Sequence, residues 1–413
     1  LHCITYLRGG TTHLKRTCHT QSWWGKMARY ASMLLLAGLS LTAAAAFVAP
    51  LRTAGTRHAP ARAISQGSPR QICLTQRLGL RMIAAETAEA GVSWREGVFW
   101  EWRGMPVRYA AINIQGKGAP LLLVHGFGAS LEHWRDNAPT LSKDRPVYMI
   151  DLLGFGFSAQ PDTPNTFNRW GGHVWATQIC DFISQVILPA STTKKVVLAG
   201  NSLGGYSALL AAGAGDLKGG EIGGLVLVNS AGSFVAEGSD GDPLAAVSRD
   251  ELLKSVDPIP TSLDPIGWLV QALKRAVSFA GFIFTREGRI ESTLKLVYTN
   301  DKSRVDADLV DLIKRPALQP NAFEVFFKTT LGGRDNKAVS IDRLAKEVEE
   351  AAIPTLLLWG ENDPWITMKR ANKMLQLMPN AKFLPLTAGH CPHDEVPQEF
   401  NANLLKWLAD KRL

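Results

Sequence analysis

Residues 196–205 have the sequence VVLAGNSLGG, in which an apolar run ends at a serine with glycines on both sides. A short apolar run of this kind is typical of a buried strand, and the Ala/Leu-rich stretch after it, through Ala214, is typical of a helix. A Gly-x-Ser-x-Gly pattern at a strand-to-helix turn lifts the serine hydroxyl above the sheet edge, because small neighbours relieve the crowding. We therefore interpret Ser202 as a candidate nucleophile. The alternative is an ordinary turn in which Ser202 only caps the helix.

Strand and helix patterns alternate on both sides of this motif, from Trp94 to the C-terminus. Apolar strand patterns occur at residues 99–102, 107–112, 121–124, 147–152, 196–199, 225–228, 355–359 and 382–386, and the first two flank a turn that predicts a hairpin. Short, fully apolar strands separated by helices are typical of a parallel sheet covered on both faces. The predicted fold class is α/β, with a mostly parallel central sheet and helices on both faces.

One long segment interrupts this alternation. Residues 233–352 contain no clear strand pattern, but they contain helical patterns at 263–284 and 323–331. We expect this segment to form a helical cap, inserted before the seventh strand. The core is then expected to comprise residues 91–232 and 353–413.

A candidate acid follows the seventh strand. A neutral serine is a weak nucleophile and needs a base, together with an acid that orients the base. The strand is followed by GENDP, residues 360–364, in which Asp363 is the candidate acid. An Asp before Pro364 also suits a simple turn. Glu361 is a nearby competitor, and Asp151, at the end of the fourth strand, is interpreted as a structural turn residue.

The base is expected on the loop after the last strand, where residues 386–390 read LTAGH. His390 follows Asp363 by 27 residues, with one strand between them. His393 is close by, and we interpret it as non-catalytic. The chain order Ser202, Asp363, His390 is the order of the triad in α/β-hydrolases.

Two hydrogen-bond donors are needed for the oxyanion of a tetrahedral intermediate. One is expected to be the backbone amide of Leu203, directly after the serine. The other is expected after the third strand, where residues 125–128 read HGFG, and the Phe127 amide is the candidate. His125 itself is interpreted as a structural hydrogen-bonding residue.

Composition and charge argue against several kinds of site. The net charge is +8, but residues 1–90 hold 11 Lys/Arg and two Glu. The rest of the chain is therefore close to neutral and gives no indication of nucleic-acid binding. The five Cys form no Cys-x-x-Cys pair, which argues against a zinc ribbon or a disulfide framework. His125 and His133 have no acidic partner at ligand spacing, so no metal and no cofactor is expected.

Residues 1–90 are interpreted as a targeting leader. Residues 1–26 precede the first Met and are interpreted as untranslated or mis-annotated sequence. Residues 27–46 place an Arg before an apolar run that ends in alanines, which is typical of a signal peptide. Residues 47–90 are Arg-rich with acidic residues only near their end, which is typical of a transit peptide and linker. A signal peptide followed by a transit peptide resembles the bipartite leader of plastid proteins in algae with secondary plastids, which implies a plastid of secondary origin. The alternative is a secreted protein with a basic linker.

The predicted cap is rich in aromatic residues. Trp268, Phe282 and Phe326 are candidate substrate-binding residues of an apolar lid. The alternative is that these residues form only the core of the cap. An apolar lid suits a small-molecule lipophilic ester and permits peripheral association with plastid membranes. No pattern indicates the oligomeric state.

Several motifs resemble those of plant and algal chloroplast α/β-hydrolases. These are HGFGAS and EHWR within residues 121–135, DLLGFGFS at 151–158, GNSLGGY at 200–206 and WGENDPWI at 359–366. The segment AGHCPHDEVP, residues 388–397, is similar to the C-terminal histidine region of pheophytinase-like enzymes. The resemblance covers residues 99–411 and implies an α/β-hydrolase fold with Ser202, Asp363 and His390 as the triad.

Pheophytinases cleave the phytyl ester of magnesium-free chlorophyll. The resemblance therefore implies a plastid serine hydrolase of a lipophilic carboxylic ester, with pheophytin or chlorophyll dephytylation as its narrowest form. Plant pheophytinases have Pro where this chain has His125, a departure that favours the broader group of plastid relatives. A lipid or small-ester hydrolase, a cofactor-free C–C hydrolase or lyase, and an acyltransferase would use the same triad. The remaining alternative is a non-enzymatic ligand-binding protein on the same fold.

Overall fold

A computed structural model describes residues 93–160, 171–214, 217, 221–235, 265–286, 289–332 and 339–413. The predicted leader segments, residues 1–26, 27–46 and 47–90, lie outside these ranges. The signal peptide, the transit peptide and the plastid location therefore stay predictions.

Eight strands in the described part of the chain form one sheet. They are β1 Val98–Trp102, β2 Met105–Ile112, β3 Leu121–Val124, β4 Val147–Ile150, β5 Val196–Asn201, β6 Ile222–Val228, β7 Thr355–Gly360 and β8 Lys382–Leu386. Their order is β1-β2-β4-β3-β5-β6-β7-β8. β2 pairs antiparallel with β1 and with β4, and every other neighbouring pair is parallel. The hairpin and the mostly parallel sheet are confirmed.

The helices follow the expected alternation. They are α1 Gly172–Phe182, α2 Leu203–Ala214, α3 Pro265–Arg286, α4 Ile290–Val297, α5 Ala307–Ala317, α6 Ala322–Phe327, α7 Ile341–Glu350, α8 Met368–Leu377 and α9 Pro397–Asp410. Short helical turns occur at Leu131–Trp134, Ala138–Leu141, Lys302–Arg304 and Pro392–Glu395, α1 continues through Ile183–Ile187 and Leu188–Ala190, and α6 continues through Lys328–Gly332. No helix of the described ranges is long and apolar enough to cross a membrane.

Helices cover both faces of the sheet, as predicted. Leu198 of β5 belongs to a core that it shares with Trp175 of α1 and Leu209 of α2. Val197, its neighbour along the strand, points to the other face and shares a second core with Phe400 of α9. Successive residues of a strand alternate between faces, so this short apolar run is buried on both sides.

Five parallel strands place their loops at one edge of the sheet. β3, β5, β6, β7 and β8 run in the same direction, so the loops that follow them emerge together. Every candidate catalytic residue lies on one of these loops. Between β6 and β7 the described residues form α3 to α7 and no strand, whereas the extent of the cap, residues 233–352, stays a prediction.

β6 begins earlier than its sequence pattern predicts. The apolar pattern starts at residue 225, but the strand includes Gly223 and Gly224. A Cβ on Gly224 would lie 2.9 Å from a methyl carbon of Leu413 and 3.0 Å from the Trp407 ring. Glycine therefore lets the C-terminal helix α9 approach the strand closely. Because glycine is not apolar in the sequence pattern, the first residues of β6 are not recognised from the sequence as part of the strand.

Candidate active site

Ser202 lies at a strained turn between β5 and α2. Its φ is +53°, a left-handed value that non-glycine residues rarely adopt. Its amide donates a hydrogen bond to the Val228 carbonyl oxygen at 2.9 Å, which ties the turn to β6. A Cβ on Gly200 would lie 2.3 Å from the Gly204 carbonyl oxygen, and one on Gly204 would lie 2.4 Å from that of His125. Both glycines of the motif are therefore required by the close approach of the backbone.

Asp363 lies on the loop after β7 and bonds to His390. Its Oδ2 is 2.6 Å from His390 Nδ1. Its Oδ1 accepts hydrogen bonds from the backbone amides of Trp365 at 2.7 Å and Ile366 at 3.0 Å. Burial by itself raises the pKa of Asp363, but the charge of His390 and these hydrogen bonds outweigh it, so the pKa lies below its ordinary value. The carboxylate is therefore ionised at neutral pH.

The hydrogen bond to Asp363 fixes the tautomer of His390. An ionised carboxylate can only accept, so Nδ1 carries the proton and Nε2 is left as the basic nitrogen. Two backbone contacts hold the residue. The His390 amide donates to the Val297 carbonyl oxygen at 2.9 Å, and its carbonyl accepts from Asn201 Nδ2 at 3.0 Å. The residue directly before Ser202 is thus bonded directly to the loop of the base.

The two predicted oxyanion donors lie on loops next to Ser202. Leu203 is the first residue of α2, where helix amides have no partner within the helix. The turn that carries Phe127 approaches the serine closely, because a Cβ on Gly126 would lie 3.4 Å from Ser202 Cβ. Within the described ranges, neither the Phe127 nor the Leu203 amide has a hydrogen-bond acceptor. Both amides are therefore available to a developing oxyanion.

The competing carboxylates lie in other environments. Glu361 accepts a hydrogen bond from Thr387 Oγ1 at 3.0 Å on the surface. Asp151 is fully buried, forms an ion pair with Arg108 at 2.8 Å and accepts the amide of Leu131 at 2.6 Å. Burial raises the pKa of Asp151 despite the charge of Arg108. Neither carboxylate is in contact with His390, so Asp363 is the acid that the geometry pairs with the base.

The other histidines near the sheet edge are structural. His125 Nε2 accepts the Leu152 amide at 3.0 Å, so its Nδ1 carries the proton and donates to the Gly126 carbonyl oxygen at 2.7 Å. Both ring nitrogens of His125 are therefore occupied. The His393 ring lies 4.2 Å from the Trp134 ring and is fully buried. Burial lowers the pKa of both histidines.

Two asparagines support the site and were not identified from the sequence. Asn229 Nδ2 donates to Asp363 Oδ2 at 2.8 Å, and Asn229 Oδ1 accepts the Gly360 amide at 2.8 Å. Asn201 donates to the carbonyl of His390, as described above. Asn201 is the last residue of β5, and Asn229 directly follows the last residue of β6. A polar residue at the carboxyl end of a buried strand is the signal that could have identified both.

A row of phenylalanine rings, which we call the Phe ladder, connects the loop after β3, which we call the oxyanion loop because it carries the candidate Phe127 amide, to the cap. Phe127 lies 6.0 Å from Phe326, Phe326 lies 5.6 Å from Phe282, Phe282 lies 5.8 Å from Phe323, and Phe323 lies 5.2 Å from Phe279, all between ring centroids. Phe282 and Phe326 are two of the candidate substrate-binding residues, a role that stays a prediction, and Phe282 is buried among the rings. Trp268 lies within α3, but its side chain is outside the described part.

A group of three or more His, Cys, Asp or Glu side chains that could hold a metal ion is absent from the described ranges. The rim of the site carries aromatic rings instead. Trp365 is 50% exposed, with its ring 5.3 Å from that of His390, and Phe127 is 43% exposed. Exposed aromatic rings therefore lie next to His390 and on the loop after β3.

Comparisons with known proteins concern the same part of the chain. The model of the alpha/beta hydrolase family matches residues 121–403. The chain is 26% identical over 310 residues to a 2-hydroxy-6-oxo-6-(2'-aminophenyl)hexa-2,4-dienoic acid hydrolase of Metapseudomonas resinovorans, which covers 74% of this chain and 88% of the relative. It is 26% identical over 342 residues to the chloroplastic pheophytinase of Arabidopsis thaliana, which covers 75% of this chain and 65% of the relative.

Among solved structures, the chain is similar to a serine hydrolase involved in carbazole degradation, the CarC enzyme. The TM-score is 0.54 at 25% sequence identity, and the match covers 75% of this chain and 97% of that chain.

Proposed function

We propose that this chain, which belongs to the alpha/beta hydrolase family, is a serine hydrolase that cleaves a lipophilic carboxylic ester through an acyl-enzyme on Ser202. The observation that carries the proposal is the 2.6 Å contact between His390 Nδ1 and Asp363 Oδ2, at the same sheet edge as the strained serine turn. A carboxylate–imidazole pair at a nucleophile elbow is the arrangement that acyl transfer requires. Similarity to a serine hydrolase and to a pheophytinase supports this assignment.

In the first step, His390 Nε2 takes the proton of Ser202 Oγ as the oxygen attacks the ester carbonyl carbon. The carbonyl oxygen becomes an oxyanion, which accepts hydrogen bonds from the amides of Phe127 and Leu203. Asp363 stays ionised and stabilises the imidazolium. The tetrahedral intermediate then collapses, the C–O bond to the alcohol breaks, and His390 gives its proton to the leaving alkoxide.

In the second step, water hydrolyses the acyl-enzyme. His390 Nε2 takes a proton from the water as its oxygen attacks the acyl carbon, and the same two amides stabilise the second oxyanion. Collapse releases the carboxylic acid, and the proton returns from His390 to Ser202 Oγ. Every proton in the cycle therefore moves between Oγ, Nε2, the alcohol and water.

The Phe ladder supports a lipophilic substrate. It begins at Phe127, whose amide we assign to the oxyanion, and it continues into the cap through Phe326 and Phe282. Phe127 is 43% exposed and Phe326 is half-buried, whereas Phe282 is buried. A hydrocarbon chain that covers the exposed parts of Phe127 and Phe326 would replace water there, which is favourable in proportion to the apolar area covered. Our specific candidate is the phytyl ester of a chlorophyll-type pigment, which also fits the plastid location that the leader predicts.

A second candidate is cofactor-free hydrolysis of a carbon–carbon bond. It is favoured by the similarity to the hexa-2,4-dienoic acid hydrolase, of which this chain covers 88%. The same serine, base and acid would be used, so the distinction depends on the substrate.

The test compares the purified full chain with its Ser202→Ala variant on pheophytin, chlorophyll, a galactolipid, short p-nitrophenyl esters and a dienoic acid of the carbon–carbon class. Products are separated by chromatography. We expect ester cleavage that depends on Ser202, with release of pheophorbide from pheophytin. Turnover of the dienoic acid alone would favour the second candidate. Turnover that persists in Ser202→Ala would contradict both.

The plastid location is a separate proposal with its own test. Residues 27–90 fused to a fluorescent protein should direct it into the plastid of an alga with a secondary plastid. Deletion of residues 47–90 should leave the fusion in the secretory pathway. Secretion of the intact fusion would contradict the plastid location and leave the chemistry unaffected.

A further inference from the structure

Helix α3 of the cap exposes an apolar face to solvent. Leu273 is 65% exposed and Phe279 is 52% exposed, and Ala276 and Ala280 between them are exposed as well. At 3.6 residues per turn, these four side chains fall within one arc of about 120° around the helix. They therefore form a continuous surface, which we call the outer strip. Apolar side chains gathered on one helix face, rather than scattered singly, indicate an interaction surface.

The neighbouring helix extends the exposed apolar area. α4 contacts α3, and its Leu296 is 67% exposed. Leu296 and Leu273 are the two most exposed large apolar side chains of the described ranges. Neither has a role in the proposed chemistry, so the reaction at Ser202 does not explain their exposure.

The segment that forms α3 and α4 has more basic than acidic residues. Residues 265–297 contain five Lys or Arg and two Glu, and no acidic residue lies within α3. The rest of the chain beyond residue 90 has more acidic than basic residues. Lys274 is exposed beside Leu273, whereas Arg275 pairs with Glu324 and stacks over Phe323, which holds α3 to α6. Lys295 of α4 pairs with Glu291, so Lys274 is the exposed cation that the structure places beside the strip. An apolar helix face with an exposed lysine beside it and no acidic residue on the same helix is complementary to an anionic lipid surface.

The outer strip is continuous with the Phe ladder. Phe279 belongs to both, because its ring is half-exposed on α3 and lies edge-to-face with Phe323 at 5.2 Å. From Phe323 the ladder leads to Phe282, Phe326 and Phe127. Apolar contact thus extends without interruption from the surface of the cap to the oxyanion loop.

We propose that the outer strip docks on the surface of an anionic lipid bilayer, and that the Phe ladder receives the hydrocarbon chain of the ester from that bilayer. The second half rests on the proposed ester hydrolysis, whereas docking itself does not. α3 would lie in the interface with Leu273 and Phe279 among the acyl chains and Lys274 at the headgroups.

The experiment measures sedimentation of the full chain with vesicles of phosphatidylcholine, with and without phosphatidylglycerol. The informative variant is Leu273→Asp. The matched control is Leu318→Asp, because Leu318 is also an exposed leucine, at 48%, and lies directly after α5, outside the outer strip. We expect Leu273→Asp to lower the partition coefficient about tenfold or more. The variant loses the apolar contact of the leucine with the acyl chains and adds a negative charge that the anionic surface repels. Leu318→Asp should behave like wild type. Lys274→Glu should weaken binding only on vesicles that contain phosphatidylglycerol.

Each outcome separates docking from catalysis and from folding. Residues 1–90 are basic and are present in every variant, so equal binding by wild type and Leu273→Asp would assign binding to them and overturn the proposal. If the wild-type protein is a dimer in solution and Leu273→Asp is a monomer, the outer strip is a dimer interface and the docking proposal is overturned. Circular dichroism checks folding, and hydrolysis of a water-soluble ester should be unchanged in Leu273→Asp. If the wild-type protein binds vesicles but hydrolyses no ester, the proposed function is refuted and the docking proposal is not.

Discussion

His390 and His393 lie three residues apart in the segment between β8 and α9, and both are almost fully buried, at 6% and 0% exposure. They differ in what their ring nitrogens contact. His390 Nδ1 bonds to the ionised Asp363, whereas His393 packs between the Trp134 and Phe400 rings, and neither of its nitrogens has a hydrogen-bond partner within the described ranges. Burial without a carboxylate lowers the pKa of His393 well below its ordinary value. Burial therefore accounts for the lowered pKa of His393, whereas the contact with Asp363 fixes the tautomer and orientation of the His390 ring.

The largest expected difference between the two histidines is in turnover. Replacing His390 by Ala removes the base, and kcat should fall by about 10⁵- to 10⁶-fold. His393→Phe keeps an aromatic ring between Trp134 and Phe400, and kcat should stay within about threefold. Steady-state hydrolysis of a soluble ester measures both. A comparable loss in the two variants would contradict the assignment of roles.

The two buried aspartates extend the comparison. Asp363→Asn leaves the site assembled but no longer fixes the His390 tautomer, so kcat should fall by about 10⁴-fold. Asp151→Asn leaves Arg108 in the core with one partner fewer. It should therefore lower the free energy of unfolding by about 3 kcal/mol, while the folded fraction keeps its kcat. Activity and urea unfolding of both variants give the test, and an inactive but stable Asp151→Asn would reverse the assignment.

The pH dependence of stability tests the unpaired histidine. Native His393 stays neutral, while the unfolded chain protonates it below about pH 6.5. Its contribution to the free energy of unfolding is therefore lost as the pH falls below that value, by about 1.4 kcal/mol per pH unit. His393→Phe should remove this slope. His133, whose pKa burial lowers to about 4, contributes equally to wild type and variant. The free energy of unfolding of both proteins is measured between about pH 4.5 and 6.5, where His393 is neutral in the native state and protonated in the unfolded chain. Parallel curves for wild type and His393→Phe would count against the neutral buried state of His393.

The smallest expected effect concerns the support of the acid. Asn229→Ala removes the side chain that donates to Asp363 Oδ2 at 2.8 Å, and kcat should fall about tenfold. The control is Asn380→Ala, which removes an exposed amide that donates to Glu349 Oε2 at 2.8 Å. No change in kcat is expected there. Equal kcat for Asn229→Ala and wild type would show that the two backbone amides on Oδ1 suffice.

Much of this arrangement could be predicted from the sequence, because it follows chain order. The chain order of the triad predicts the base on the loop after the last strand, where His390 lies, and β3 and β8 have the bounds that their apolar runs predict. The glycine spacing around Ser202 likewise reports a local constraint, which the close approach of Gly200 to the Gly204 carbonyl oxygen explains.

The rest could not be predicted, because it depends on contacts between distant parts of the chain. Asn229 and Asp363 are far apart in sequence and meet only because β6 and β7 are neighbours. The Phe ladder joins rings of the β3 loop, α3 and α6, and its order depends on how the cap packs. Gly224 interrupts the apolar pattern of β6 because a larger side chain there would collide with Trp407 of α9.

The central claim is that Ser202 is a nucleophile made reactive by His390 and not by His393. The most direct measurement is labelling of the folded chain with a fluorophosphonate, with the modified peptide identified by mass spectrometry. We predict rapid labelling of Ser202 in wild type and in His393→Phe, and loss of labelling in His390→Ala. Folded wild-type protein that leaves Ser202 unlabelled, or His390→Ala that labels at the wild-type rate, would contradict the account.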